Sequence, residues 1–144
     1  MLKGIDPLLG PELLQILRAM GHGDELIIVD ANFPATANAE RLVRLDGVDA
    51  PRALKAVLSL MPLDDFVEAP VVFMAVVGDP AAVPEITVEF QKIAAEAEGK
   101  PVKTERIDRF AFYERARRAF AIVATNERRL YGNVIVKKGV IRKQ

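Results

Sequence analysis

The sequence predicts an α/β protein, a three-layer α/β/α sandwich around a mixed, mostly parallel sheet. Three observations carry this. Short apolar runs at 25–29, 71–77 and 120–125 read as strands, and a continuous apolar run is what a strand covered on both faces requires. Between them lie segments whose apolar residues recur at helical spacing. Strands and helices alternate along the chain, which favours helices on both faces of one sheet.

The elements follow in order. Gly10-Pro11-Glu12 opens a helix, with proline where its missing N–H costs nothing. Leu13, Leu14, Leu17 and Met20 form its apolar stripe, and Gly21 stops it. Residues 25–29 form a buried strand ending at Asp30, and Asn32-Phe33-Pro34-Ala35 is a loop. A short strand at 42–45 precedes the turn at Asp46-Gly47. Asp49 caps a helix over 51–60, and Pro62 ends that segment. After the strand at 71–77, Gly78-Asp79-Pro80 breaks the chain. Residues 84–98 form a helix with a stripe of Val88, Ile93 and Ala97, closed by Gly99. A strand at 102–107, a charged helix at 112–118 and a strand at 120–125 follow. A turn at Asn126-Glu127 leads to the last strand, 134–136. The last two strands are close in sequence, so a hairpin is expected, and with it the antiparallel part of the sheet. Residues 1–144 are read as a single domain, with no internal repeat or linker.

Composition excludes several function classes. Lys+Arg is 20 and Asp+Glu is 20, which argues against a nucleic-acid or anionic-membrane partner. There is no cysteine and one histidine, so disulfides, thiolate chemistry and a metal site are not expected. No apolar run approaches the ~18 residues of a bilayer span, and the amino terminus carries no secretory signal pattern. The expectation is a soluble cytoplasmic protein. Hydrophobic residues make up 51% of the chain, and nine glycines carry the apolar share above the usual ~45–50%. Burial between subunits is a natural outlet for that excess; an alanine-rich composition is the alternative.

Four constellations bear on chemistry. His22, between Gly21 and Gly23 at a helix-to-strand junction, titrates near neutrality and can give or take a proton at cellular pH. A histidine of purely structural role is the competing reading. Asp30, just past an apolar strand, is either a ligand-binding group at a sheet rim or a turn cap. His22 and Asp30 are expected on neighbouring loops of one rim. In Arg109-Phe110-Ala111-Phe112-Tyr113-Glu114-Arg115, the aromatics and a guanidinium either line a sugar pocket or form a structural junction with both Phe residues in the core. Arg115, Arg117 and Arg118 read as a solvated helix face. Tyr131-Gly132-Asn133 supplies the donors and acceptors a polyol needs, or is a turn with a strand-entry aromatic. No Walker loop, GxGxxG or nucleophile elbow is present, so no cofactor is expected. One proton-transfer group among several hydrogen-bonding groups suits acid–base isomerisation of a neutral, polar small molecule.

These blocks resemble the sugar mutarotases that include ribose pyranase and L-fucose mutarotase. The resemblance rests on Pro11-Glu12-Leu13-Leu14, Met20-Gly21-His22-Gly23-Asp24-Glu25, Asp30-Ala31-Asn32-Phe33-Pro34, the Arg109–Ala116 block and the stretch from Tyr131 to Gly139, which together cover nearly the whole chain. The Arg-Phe-Ala-Phe-Tyr-Glu-Arg block looks like the fucose branch. The resemblance implies a homo-oligomer, commonly a decamer of stacked pentamers, with sites near subunit boundaries. It implies His22 as the catalytic residue and a monosaccharide held by Asp30, Arg109, Tyr131, Gly132 and Asn133. For the acid–base chemistry itself, Tyr131 is the second proton-transfer candidate. The chain departs from the fucose branch at Asn32, where that branch carries a histidine, and at Thr36-Ala37-Asn38, where it carries a His-Ser pattern. The reading is therefore an aldose mutarotase; a sugar-binding or transport-accessory protein without turnover is the alternative.

Overall fold

The computed structural model describes residues 1–144. Six strands form one sheet: β1 (Glu25–Val29), β2 (Leu42–Leu45), β3 (Val71–Met74), β4 (Thr104–Ile107), β5 (Ala121–Thr125) and β6 (Val134–Lys137). Five helices accompany them, the first ahead of β1 and the others between strands: α1 (Pro11–Ala19), α2 (Ala35–Asn38), α3 (Ala50–Leu58), α4 (Glu85–Glu98) and α5 (Arg109–Arg118). The strand order is β2-β5-β1-β6-β3-β4. β2, β5 and β1 pair in parallel, as do β3 and β4. β6 alone runs antiparallel, between β1 and β3.

Mixed pairing is as expected, but its source is not the hairpin. β5 and β6 do not pair, because β1 lies between them. β1 is covered on both faces and pairs on both edges, so it takes the centre of the sheet. The segment joining β5 to β6 must then cross the end of β1. It is held there by a hydrogen bond from the Ala31 N–H to the Glu127 carbonyl, 2.8 Å.

Alternation along the strands divides the core into two layers. Leu26, Ile28, Val71, Phe73, Val123 and Val136 face α1, α3 and α4. Ile27, Val29, Val72, Met74, Ile122 and Ile135 face α2 and α5, through Ala35, Phe112 and Ala116. That is the three-layer arrangement.

Helix ends follow local chemistry. The Asp49 carboxylate accepts from the Arg52 N–H at 2.8 Å, and Gly99 closes α4 in the left-handed conformation at φ 70°. α5 starts at Arg109, three residues before the expected point, because Asp108 caps it by accepting from the Ala111 N–H at 3.0 Å. β3 stops at Met74 rather than continuing to 77. Its partners give out there: β6 begins opposite Phe73, and β4 ends opposite Met74. In α4 the buried stripe is Ile86, Phe90 and Ala94, while Val88 faces solvent. The Phe90 ring stacks on Phe73, and that contact sets the rotation of the helix. Residues 35–38 form one helical turn, which begins at the last residue of the expected loop. No helix is long and apolar enough to cross a membrane.

Candidate functional site

The five strands other than β6 run in one direction, so their carboxyl ends share a rim, and β6 begins there. Asp30 follows β1, Arg109 follows β4, and Tyr131, Gly132 and Asn133 lead into β6. All five residues therefore lie along the carboxyl rim, where ligands bind in open α/β sheets. His22 precedes β1 and lies at the amino rim. The expected juxtaposition of His22 and Asp30 does not occur within one chain. An extended five-residue strand, about 17 Å long, separates their loops.

At the carboxyl rim, Asp30 and Asn133 are both buried and lock together. The Asn133 Oδ1 accepts from the Asp30 N–H at 2.8 Å, and its Nδ2 donates to Asp30 Oδ2 at 3.1 Å. The other carboxylate oxygen accepts from the Asn32 N–H at 3.0 Å. Asp30 thus both caps its own turn and stands at the rim. Burial raises its pKa above the ordinary carboxylate value, and the bonds from Asn32 and Asn133 oppose that rise. Beside it opens a cavity of about 170 Å³, lined by Asn32, Phe33, Met74, Tyr113, Tyr131 and Asn133 among others. Aromatic faces with a few fixed polar atoms are what a sugar ring needs.

Tyr131 is the one non-glycine residue with positive φ, at 62°. Holding a tyrosine there costs energy, and such strain clusters at functional sites. Its hydroxyl accepts from the Val77 N–H at 3.0 Å, so the ring bridges two carboxyl-rim loops. Gly132 has a packing reason. A Cβ there would lie 2.7 Å from the Glu127 Cγ and 3.2 Å from the Arg129 carbonyl oxygen. Glu127 is buried; burial raises its pKa, but bonds from Arg129 outweigh that, and the net position is below the ordinary value. Arg129 Nε lies 2.6 Å from Glu127 and its Nη1 lies 2.7 Å from Glu89 on α4, which ties the Tyr131 turn to a helix.

Arg109 shares the rim but does not line the cavity. It is exposed, with its guanidinium 5.1 Å from the Phe110 ring. The aromatic pair divides: Phe112 is fully buried and Phe110 is 71% exposed, so the core takes one of them only. Tyr113, next in sequence, faces the cavity. Arg115 is not a solvated residue. It is half-buried and bonded to Glu25, with Glu105 at 3.5 Å. Asn32 lines the cavity, whereas Thr36 and Asn38 are engaged locally, by Arg44 at 2.6 Å and by the Pro34 carbonyl at 2.8 Å.

At the amino rim, the His22 Nε2 lies 2.9 Å from Asp64 Oδ1, and its ring centroid lies 4.9 Å from that of Phe66. Asp64 is buried while the His22 side chain is 42% exposed. Neither Asp64 nor Phe66 stands out in the sequence, since 42 residues separate Asp64 from His22 and no local pattern marks the pair. No cluster of three or more His, Asp or Glu is arranged to hold a metal ion.

Comparisons with known proteins place the chain in a family. Residues 3–141 match the model of the RbsD / FucU transport protein family. The chain is similar to the L-fucose mutarotase of Glaesserella parasuis serovar 5 (strain SH0165), 47% identical over 97% of this chain and 96% of that protein. It is 44% identical to the fucose mutarotase of Homo sapiens, over 97% of this chain and 94% of that one. The solved fucose mutarotase from Streptococcus pneumoniae in complex with L-fucose superposes with a TM-score of 0.90 at 43% identity, covering 98% of this chain and 100% of that one. With a matched span of nearly the full length and the same fold, this chain belongs to the RbsD / FucU family.

Proposed function

We propose that this protein is a mutarotase that interconverts the α and β anomers of a free aldose, with L-fucose as the sugar. The observation that carries the reading is the aromatic-lined cavity beside the locked Asp30–Asn133 pair, on a fold shared with a fucose mutarotase bound to L-fucose. The reaction needs a base to take the proton of the anomeric hydroxyl as the C1–ring-oxygen bond breaks. It needs an acid to protonate the ring oxygen. Rotation about C1–C2 and reclosure, by the same transfers in reverse, gives the other anomer. No electrons leave the sugar. Positioned groups typically contribute about 10²–10⁴-fold each.

In this reading His22 and Tyr131 transfer the protons. Asp30, Asn133 and backbone groups at Gly132 hold hydroxyls, and Arg109 closes over the sugar from the end of β4. His22 and the cavity lie at opposite rims, so no single chain presents both to one sugar. A homo-oligomer, a decamer of stacked pentamers, resolves this by setting His22 of one subunit against the carboxyl rim of the next. The apolar excess of the composition and the exposed Leu2, Leu60 and Ile141 supply surface for such contacts.

Saturation-transfer NMR on L-fucose tests the activity, with ribose as the second substrate. Faster exchange between anomeric protons that is lost in a folded His22→Ala variant supports the reading. Binding of fucose without any acceleration identifies a sugar-binding protein instead. Mixing subunits tests the shared site. His22→Ala and Tyr131→Phe, each inactive alone, should recover roughly a quarter of wild-type activity when co-assembled at random around a closed ring. No recovery on co-assembly places the whole site within one chain.

A further inference from the structure

We propose that Val77 is a positioning residue for Tyr131 and acts through its main-chain N–H. That N–H occupies one lone pair of the phenol oxygen, leaves the hydroxyl proton for a sugar oxygen in the rim cavity, and stabilises the phenolate once the proton has gone. This rests on the mutarotase reading above and adds to it the group that aims its tyrosine.

The direction of the bond follows from the chemistry of its two ends. An amide N–H only donates, so at 3.0 Å the Tyr131 oxygen is the acceptor. The phenol's own proton is not spent in that bond. Tyr131 lines the cavity, and its hydroxyl makes no other bond within the chain. When the tyrosine acts as acid, its O–H bond breaks, the sugar oxygen gains the proton, and the electron pair stays on the phenolate oxygen. Reclosure of the sugar returns the proton. A fixed N–H binds an ionised oxygen more strongly than a neutral one, so the Val77 donor favours the charge that develops during the transfer.

Both partners are held by their own segments. The Asp79 N–H donates to the Val76 carbonyl at 3.2 Å, which closes a four-residue turn with Val77 and Gly78 at its centre. Gly78 has φ 81° while Val77 keeps a negative φ, the type II pattern that requires glycine at its third position. The loop is tied on either side of the turn. The Ala75 N–H donates to the Ile107 carbonyl at 2.8 Å, and Arg106 Nη1 donates to the Ala82 carbonyl at 2.7 Å. The Val77 side chain is 59% exposed and packs little, so what position 77 supplies is its main chain. On the other side, Tyr131 is held at φ 62°, followed by Gly132 packed against Glu127. Such a backbone persists only where its surroundings over-determine it, and the Val77 bond is one of those constraints. A ring fixed at its backbone and at its hydroxyl is aimed before substrate arrives.

The turn type supplies a clean substitution. Proline suits the second position of a type II turn, where it keeps the backbone path and removes only the N–H. Val77→Pro is expected to keep its melting temperature and to lower kcat for fucose anomer exchange about 10–100-fold, with KM changed less than about threefold. In a Tyr131→Phe background the same substitution should change kcat by less than about twofold, since the amide has no hydroxyl left to serve. A folded Val77→Pro protein with full kcat overturns the inference. So does an equal loss in the Tyr131→Phe background, which assigns the effect to loop shape. Should Val77→Pro melt early, an ester in place of the amide between Val76 and Val77 removes the same N–H without the ring, and the same two outcomes decide. A wild-type protein that accelerates no anomer exchange overturns the mutarotase reading itself, which distinguishes that failure from this one.

Discussion

Replacing Asn133 by alanine tests whether the carboxyl rim is held by one side chain. Asn133 is 4% exposed and makes two bonds to one residue. Removal leaves the buried Asp30 N–H without its acceptor, at about 1–3 kcal/mol, and costs the carboxylate a donor, at about 1.5–3 kcal/mol. Water entering the rim cavity offsets part of this, so the net loss is about 3 kcal/mol. At roughly 2–4 °C per kcal/mol for a chain of this size, the melting temperature should fall by about 6–12 °C. The sign with pH is specific. Burial raises the folded-state pKa of Asp30, so its favourable contribution is lost as pH rises through that pKa. Asn133 offsets the cost of the ionised form. Its removal therefore hurts most at neutral pH, and the deficit shrinks in mild acid as Asp30 takes up a proton. Scanning calorimetry of both proteins at the two pH values, at matched subunit concentration, measures this. A fall below about 2 °C, or equal falls at both pH values, refutes the reasoning.

Four further outcomes are expected. Gly132→Ala should lose about 1–3 kcal/mol in a denaturant titration, because the new methyl meets Glu127 and the Arg129 carbonyl rather than open space. Arg129→Ala should cost about 1–2 kcal/mol by the same titration: it strips the buried Glu127 of its cation, yet the arginine is 40% exposed and solvent screens part of the loss. Tyr131→Phe keeps the ring but loses the hydroxyl, and a proton-transfer role predicts a fall in kcat of about 10²-fold or more with the melting temperature nearly unchanged. Arg109→Ala is exposed and should leave stability within about 0.5 kcal/mol, while raising KM for fucose if the guanidinium grips the sugar.

Much of the fold is legible locally because its signals are local. β1, β2 and the Asp49 cap follow from apolar runs and one capping residue. What escapes is set by tertiary contact. Strand proximity predicts a β5–β6 hairpin, yet β1 pairs with both and lies between them. The α4 stripe rotates because Phe90 finds Phe73, which no helical periodicity records. Arg115 resembles its solvated neighbours in sequence, and only the fold brings Glu25 beside it.

The site shows the same division, with one lesson that simple geometry could have supplied. Asp30 and Tyr131–Asn133 are legible because they flank apolar runs, whereas Arg109 follows the charged strand β4. The Asp64–His22 contact is not, since 42 residues separate its partners. His22 and Asp30 are a different case. One precedes β1 and the other follows it, and a strand has its two ends on opposite rims whatever its neighbours do. Nearness in sequence across a strand therefore argues for separation. If both act on one small sugar, as proposed, a second chain must bring them together. The assembly is then part of the catalytic argument: a monomer with an intact fold, intact His22 and intact cavity should bind fucose weakly and fail to exchange its anomers.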